Sequence, residues 1–536
     1  MAKKGTLFRK KVNPSRGGES RPTGANFPLR AAAIDVGSNA IRMLVAEFGG
    51  PGEYRTLVNT REAIRLGHGV FLTGKLVPSV AREATAALSA FRHRMDELEV
   101  TAYRAVATSA IRESTNGHEF LERAQREAGI HLEAINGSEE GRLIYRAVRG
   151  RLDLGLGRWL LADLGGGSIE VSLVDSSGIL WSESHTMGSV RLLEELAGGG
   201  GDPGRLSRLL AEYVDTLRIS LGVTSGPLEG YVATGGNIEA LAQLGLAKPG
   251  PDGVLRLPLV ALEALIEQLA RLSYRERVEG LGLREDRADV ILPAAMVYAK
   301  LGRLVGAGEI VVPCVGLKEG VLLDLVDGLS GAADGKSREE RQVEGGSLAL
   351  GRKYLFDEAH ARHVARLSLS LFDQLASVHN LGSNERRILH AASLLHDIGS
   401  FVSYSGHHKH SLYLIAHSNL AGFSERDLLV VANVARYHRR SAPKAQHEAY
   451  ADLSASEKAV VVRLSSILRL ADAMDREHQQ RVYSVKAEAR EGLLVLKLEG
   501  QGDLLLEGWS LMRKGDLLKK AFGLELEVAA PKGEKA

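Results

Sequence analysis

Hydrophobic and polar positions follow two successive patterns along the chain. Up to about residue 327, short apolar runs that read as β-strands alternate with stretches whose apolar residues recur at helical spacing. From about Leu348 the helical period dominates. The first clear element is AAAIDVGSNAIRMLVAEF, which predicts a hairpin over 31–48: Asp35 closes one strand, Gly37, Ser38 and Asn39 turn, and residues 40–48 return. WLLADLGGGSIEVSLVD, over 159–175, repeats the design. Its first run ends in Asp163, passes through Gly165, Gly166, Gly167 and Ser168, and emerges as a second β-rich run carrying Glu170.

Between the hairpins the pattern predicts a helix over 79–98 and a strand over 103–107. A helix beyond Asn116, read as its cap, carries Phe120, Leu121, Ala124 and Ala128, and a strand over 131–135 follows. Asn136 and Gly137 turn the chain, Ser138 reads as a cap, and a helix starts at Glu139 and Glu140. After the second hairpin come helices to about residue 221, a turn in YVATGGNIEAL and a closing CVGLKEGVLLDLV. The two halves share a plan, so the expectation is two duplicated α/β domains, 30–150 and 151–327, with a ligand in the cleft between them. Residues 328–347, polar and Gly-rich, read as a linker; 348–480 as an all-α domain; 481–536, alternating again in VYSVKAEAR, GLLVLKLEG and LELEVAA, as a small β-containing unit.

Length and composition narrow the picture. A chain of 536 residues is too long for one core. A formal net charge of +2 gives no whole-protein argument for nucleic acid, and none is expected as a specific partner. No apolar run approaches the ~20 residues that cross a bilayer, so no membrane partner is expected. Residues 1–29 are basic and rich in Gly, Pro and Ser, without the apolar core of a secretory signal, and read as a disordered leader. The single cysteine, Cys314, follows an apolar VVP and reads as a small buried residue rather than a nucleophile; the absence of an internal disulfide fits a reducing cytoplasm.

Glycine turns let backbone N–H groups approach phosphate, Ser adds a hydroxyl, and an Asp at the preceding strand end suits a divalent cation. One such turn is more often only a turn; two matching ones point to a phosphate cleft. Neither has the GxxxxGK[ST] pattern or opens a GxGxxG dinucleotide fold.

These residues resemble the actin, hexokinase and heat-shock chaperone superfamily. More narrowly, AIDVGSNAIRMLV, ATSAIRESTN, INGSEEGRLIY, ADLGGGSIEVSLV, MGSVRL, VATGGNIEAL and GLKEGVLLD, in that order over about 33–324, resemble the exopolyphosphatase and guanosine pentaphosphate phosphohydrolase (Ppx/GppA) family. The resemblance implies two actin-like (ribonuclease H-like) domains, Mg²⁺ or another divalent cation, and a homodimer. It also implies hydrolysis of a terminal phosphoryl group of inorganic polyphosphate, or alternatively of the 5′-γ-phosphate of guanosine pentaphosphate. Glu140 takes the place of the base that activates water, with Glu139 left to the helix dipole. Asp163 and Glu170 match positions tied to metal and catalysis. Arg112 matches a phosphate-binding arginine, Arg42 and Arg191 are further candidates, and Gly37, Ser38, Asn39, Gly165, Gly166, Gly167 and Ser168 complete the phosphate set. An alarmone- or polyphosphate-sensing protein with slow turnover is the non-enzymatic alternative.

In the helical region His363, the adjacent His396 and Asp397, and the distant Asp472 resemble the pattern of HD-type metal phosphohydrolases. This implies either a second divalent-metal site or a vestigial domain lining a polyphosphate channel. HHKH, with His407, His408 and His410, and RYHRR, with His438, read as basic surfaces that meet a polyanion.

Overall fold

A computed structural model describes residues 27–529, apart from 51, 177, 198–202, 220–226, 331–332, 419, 421, 440 and 491. All but the last few residues of the predicted leader lie outside the described residues. The first sheet contains β1 (Leu29–Val36), β2 (Ile41–Gly50), β3 (Glu53–Glu62), β4 (Ala102–Ala107) and β5 (Leu132–Ala134), in the order β3-β2-β1-β4-β5. β1, β2 and β3 are antiparallel, while β4 runs parallel to β1 and β5 to β4. Burial of β1 on both faces explains its unbroken AAAI run. β3, EYRTLVNTRE, is a largely exposed edge strand without clean alternation, which is why the hydrophobic pattern did not announce it.

The second sheet contains β6 (Trp159–Leu164), β7 (Ile169–Asp175), β8 (Gly178–His185), β9 (Gly230–Thr234), β10 (Lys248–Pro249), β11 (Leu255–Pro258) and β12 (Glu309–Val312). Its order is β10-β11-β12-β9-β6-β7-β8. Read from the far edge, β8-β7-β6-β9-β12 repeats the order of the first sheet, with the same antiparallel hairpins and parallel partners. This is a duplicated actin-like fold. The helix Leu317–Ser330 leaves the second sheet and packs on the first domain: a Cβ on Gly320 would lie 1.9 Å from the Leu143 carbonyl oxygen. Leu317, Val321, Leu322 and Val326 join Leu29, Ala31, Leu143 and Ile144 in one core.

The expected linker at 328–347 is largely helical, split between the end of Leu317–Ser330 and a helix over Ala333–Lys353. Val343, Ser347 and Leu348 bury at helical spacing, and that packing outweighs the low helix propensity of the local glycines. Beyond it lie the helices Glu358–Gln374, Ser383–Leu395, His407–Ala416, Glu425–Arg436 and Ala455–Ala473. The tail forms β13 (Val482–Arg490), β14 (Leu493–Gly500) and β15 (Glu525–Ala529), with helices Leu505–Lys514 and Asp516–Phe522 before the last strand. Its residues Val485, Leu496, Leu511 and Leu518 share a core with Leu371, Leu395 and Leu468 of the helices, so tail and helices fold around one interior.

Three local expectations change. Asn116 makes no cap; its side-chain oxygen accepts from Leu76 N and its amide donates to Leu76 O, pinning a loop. Asn136, not Ser138, caps Gly137–Arg149 by accepting from Glu139 N at 2.8 Å. Cys314 is exposed, at φ 55°, where the chain turns out of β12. No helix among the described residues is long and apolar enough to cross a membrane.

Candidate active site

The β-sheet register assembles the first two carboxylates. Asp163 on β6 lies opposite Glu170 on β7 and beside Thr234 on β9, whose hydroxyl donates to Asp163 Oδ1 at 2.6 Å. Glu170 in turn lies opposite Ser184 on β8. Its Oε1 accepts from Ser168 Oγ at 2.7 Å and Ser184 Oγ at 2.9 Å, while its Oε2 is buried without a partner. The third carboxylate comes from the other domain. Glu140 sits in the first turn of Gly137–Arg149, and that helix end approaches β8 because Gly137 lacks a side chain: a Cβ there would fall 2.7 Å from Ser184 Cβ. Glu140 Oε2 is likewise buried and unpartnered. Glu140, Asp163 and Glu170 each offer an oxygen within 4.8 Å of the others.

Concentrating three carboxylates out of water raises the cost of ionising them. Burial, then Glu170, holds Glu140 well above the ordinary carboxylate range. Burial pushes Glu170 up to about 7, with Asp163 adding to the shift and Ser168 and Arg112 opposing it. Burial raises Asp163 to about 6 despite its bond from Thr234. Oxygen-only donors with two orphaned atoms match the requirements of Mg²⁺ or a similar hard cation, so the residues present fit the divalent ion that the family implies. Glu139 does more than complement the helix dipole: with Asp324 it neutralises Arg142 and Arg104 at 2.7–3.1 Å.

A cavity of about 240 Å³ opens beside Asp163 and Glu140, and Gly37, Ser38, Asn39, Arg42, Gly165 and Gly166 line it. The two glycine turns meet face to face, since a Cβ on Gly166 would lie 2.9 Å from Ser38 Cβ. Gly167 is not among the residues that line this cavity; Phe71 and Ser109 fill the space where its Cβ would be, both 2.4 Å away. Arg191 does not line the cavity either; its Nε donates to Gly167 O and its NH2 pairs with Glu113. Arg42 pairs with Asp35 at 2.8 Å at the cavity wall. Arg112 donates to Ile135 O at 2.7 Å and lines a second cavity of about 1400 Å³ between the first domain and the helical region, together with Arg386 and Arg387.

Sequence motifs missed the cations at the cleft. Arg61 of β3, Arg284, Arg287 and Lys318 all line the small cavity. Arg287 donates to Asn237 Oδ1 at 2.6 Å, and burial, then the neighbouring Arg42 and Arg61, lowers its pKa to about 10. Like charges held together in this way favour an anion. Arg61 with Asp286, Asn39 with Asp286 O, and Arg65 with Asp289 tie the domains together at the same edge.

In the helical region the candidates divide. His396, Asp397 and Asp472 come together, but His363 stays apart, its Nδ1 beside Arg366 and its Nε2 unpartnered. His360, three residues earlier on the same helix, takes the place expected of His363. His407 and His438 are buried against Asp397 and are not basic surface.

Fold and site thus define a phosphohydrolase with a two-domain actin-like body. A family profile described as the Ppx/GppA phosphatase family matches residues 45–328, and a second, for domain III of the same family, matches 344–516. The chain belongs to the Ppx/GppA phosphatase family, whose members are phosphoanhydride hydrolases. An Aliivibrio fischeri (strain MJ11) protein named guanosine-5'-triphosphate,3'-diphosphate pyrophosphatase is 27% identical over 513 residues, 91% of this chain and 98% of the relative. An Aeromonas hydrophila protein of the same name is 27% identical over 88% of this chain and 93% of its own length. Among solved structures, an exopolyphosphatase from Cytophaga hutchinsonii is 28% identical with a TM-score of 0.52, covering 56% of this chain and 98% of that one.

Proposed function

We propose that the chain releases the terminal phosphoryl group of inorganic polyphosphate by in-line attack of water. The observation that carries this reading is the meeting of Glu140 with Asp163 and Glu170 at the wall of a cleft lined by guanidinium groups. Arg42, Arg61, Arg284, Arg287 and Lys318 hold the terminal phosphates, and backbone N–H groups of the Ser38 and Gly166 turns sit against them. Asp163 and Glu170 would hold a divalent cation, which would supply positive charge against the transferred phosphoryl group. Glu140 orients the attacking water and takes its proton; a carboxylate whose charge burial disfavours is a stronger base once ionised than one in water. Arg112, whose charge acts on both Glu140 and Glu170, holds the phosphate chain where it leaves towards the larger cavity.

Guanosine pentaphosphate is the second reading. The names of the curated relatives, which this chain matches over nearly their whole length, favour it, and the larger cavity has room for a nucleoside. Phosphate release from long-chain polyphosphate and from guanosine pentaphosphate, measured side by side with Mg²⁺, decides between them. The first reading expects the higher kcat/KM on polyphosphate; tight binding of both with negligible turnover contradicts both readings.

A further inference from the structure

Five cations line the small cavity, and their partners differ in kind. Arg42 pairs with Asp35 of its own hairpin at 2.8 Å, Lys318 with its chain neighbour Glu319 at 3.0 Å, and Arg287 bonds the neutral Asn237. Asp286 takes the remaining two at once. Its Oδ2 accepts from Arg61 and, at 3.2 Å, from Arg284, and its Oδ1 accepts from Arg284 Nε at 3.2 Å. Arg61 comes from β3 of the first domain, whereas Arg284 and Asp286 belong to the second, so one carboxylate gathers guanidinium groups from both sides of the cleft. Asn39, also of the cavity wall, donates to Asp286 O at 3.2 Å and fixes the backbone there.

A carboxylate bonded through both oxygens to one guanidinium and shared with a second presents the charge and acceptor geometry of a phosphate edge. The arginines are not saturated by it. Arg61 Nε is buried without a hydrogen-bond partner, and burial lowers the Arg61 pKa despite Asp286, with Arg284 and Arg42 adding to the lowering. More negative charge than one carboxylate supplies is therefore favourable here. Asp286 itself is ionised: although burial opposes the charge, the bonds from Arg284 and the charge of Arg61 hold its carboxyl below the ordinary range. The neighbouring pair offers a contrast. Arg65 and Asp289 bridge the same two domains with bonds of 2.6 and 2.7 Å, yet Arg65 does not line the cavity. A tie between the domains does not require cleft arginines.

We propose that Asp286 is a built-in competitor of the phosphate ligand: it neutralises Arg61 and Arg284 until a terminal phosphate displaces it, and its return weakens the hold on the orthophosphate product. Being part of the chain, the carboxylate competes at a fixed, high effective concentration. Asp286 thus sets the affinity of the cleft for phosphate below what its cations alone would give. The inference rests on the reading of this cleft as the phosphate site.

The test is binding of inorganic tripolyphosphate and of orthophosphate, measured by calorimetry at fixed Mg²⁺ on the full-length protein carrying Glu140→Gln to suppress turnover. Adding Asp286→Asn should lower both dissociation constants by about tenfold or more, whereas Asp289→Asn, which removes the other tie between the domains, should leave them within about twofold. Unchanged or raised dissociation constants in Asp286→Asn overturn the proposal. Equal tightening in Asp289→Asn also overturns it, since the effect would then be one of net charge. Circular dichroism confirms folding, and Asp286→Ser carries the same expectation should Asp286→Asn not fold. Arg287→Ala separates the two claims. If it leaves tripolyphosphate binding unchanged, the phosphate reading of the cleft fails and the competitor with it; if it weakens binding while Asp286→Asn brings no tightening, only the competitor fails.

Discussion

Glu140 and Glu170 meet across the boundary between two domains, one from a helix N-terminus and one from a strand, and each keeps a buried carboxylate oxygen with no hydrogen-bond partner. Neither carboxylate would be placed this way for stability alone, because a buried charge without a partner costs free energy. The burial of the pair has a thermodynamic signature.

That signature is a pH dependence. Glu170 holds its proton up to about 7 in the fold but releases it near the ordinary value of 4.5 when unfolded. The folded state therefore binds the proton more tightly, and the stability this contributes is complete below about pH 4.5 and lost as pH rises through about 7. In chelator, the wild-type melting temperature relative to Glu170→Gln should fall over that window, by the equivalent of a few kcal/mol. Added Mg²⁺ should raise the wild-type melting temperature more at pH 8 than at pH 5. An identical pH profile in the two proteins would contradict the burial of this carboxyl.

Arg287 should act on substrate binding. Its guanidinium is crowded by Arg42 and Arg61 and has one short bond, to Asn237, so an anion gains from it. Arg287→Ala should raise KM for polyphosphate roughly tenfold or more, the range of a charged hydrogen bond of about 1.5–3 kcal/mol. Steady-state kinetics at two ionic strengths check this, with the wild type losing more affinity in salt than the variant.

Asp324 should matter for the fold. It pairs with Arg142 and Arg104 at 2.7 Å each, and despite its burial these arginines hold its carboxyl down at about 2. Asp324→Asn should cost about 3–5 kcal/mol, because two part-buried guanidinium groups lose a charged partner. Since the folded pKa is lowered, this stabilisation is present above about pH 4 and lost as pH falls through about 2. Denaturant unfolding of wild type and variant at neutral pH measures the difference.

Gly167 separates packing from phosphate binding. A side chain there would meet Phe71 and Ser109 at 2.4 Å, so Gly167→Ala should lower the melting temperature by displacing those two side chains, with a ΔΔG of about 1–3 kcal/mol. An unchanged melting temperature with raised KM would instead point to contact with phosphate.

The hairpins were legible because strand burial and glycine turns leave periodic marks in the sequence, and the family motifs ran in order through them. The placing of Glu140 at the cleft was legible only through that resemblance; nothing in its helix period distinguishes a buried carboxylate that faces a cavity from one complementing the dipole. The arginines of the cleft were not legible, since Arg61 lies on an exposed edge strand and Arg284 and Arg287 flank a short helix far along the chain. His360 and His363 are both buried on one helix, and only the crossing of that helix with its neighbours decides which one meets His396. The helix over Ala333–Lys353 was hidden by its polar composition, because a few buried side chains, not its average, hold it in place.

The most direct test of the central claim is phosphate release by Glu140→Ala with polyphosphate and Mg²⁺, measured alongside polyphosphate binding. Turnover should fall by about 10²–10⁴-fold, the usual contribution of a positioned base, with affinity within a few-fold of wild type. Turnover equal to that of the wild type, in a protein that still binds polyphosphate, would contradict the assignment of Glu140 as the base.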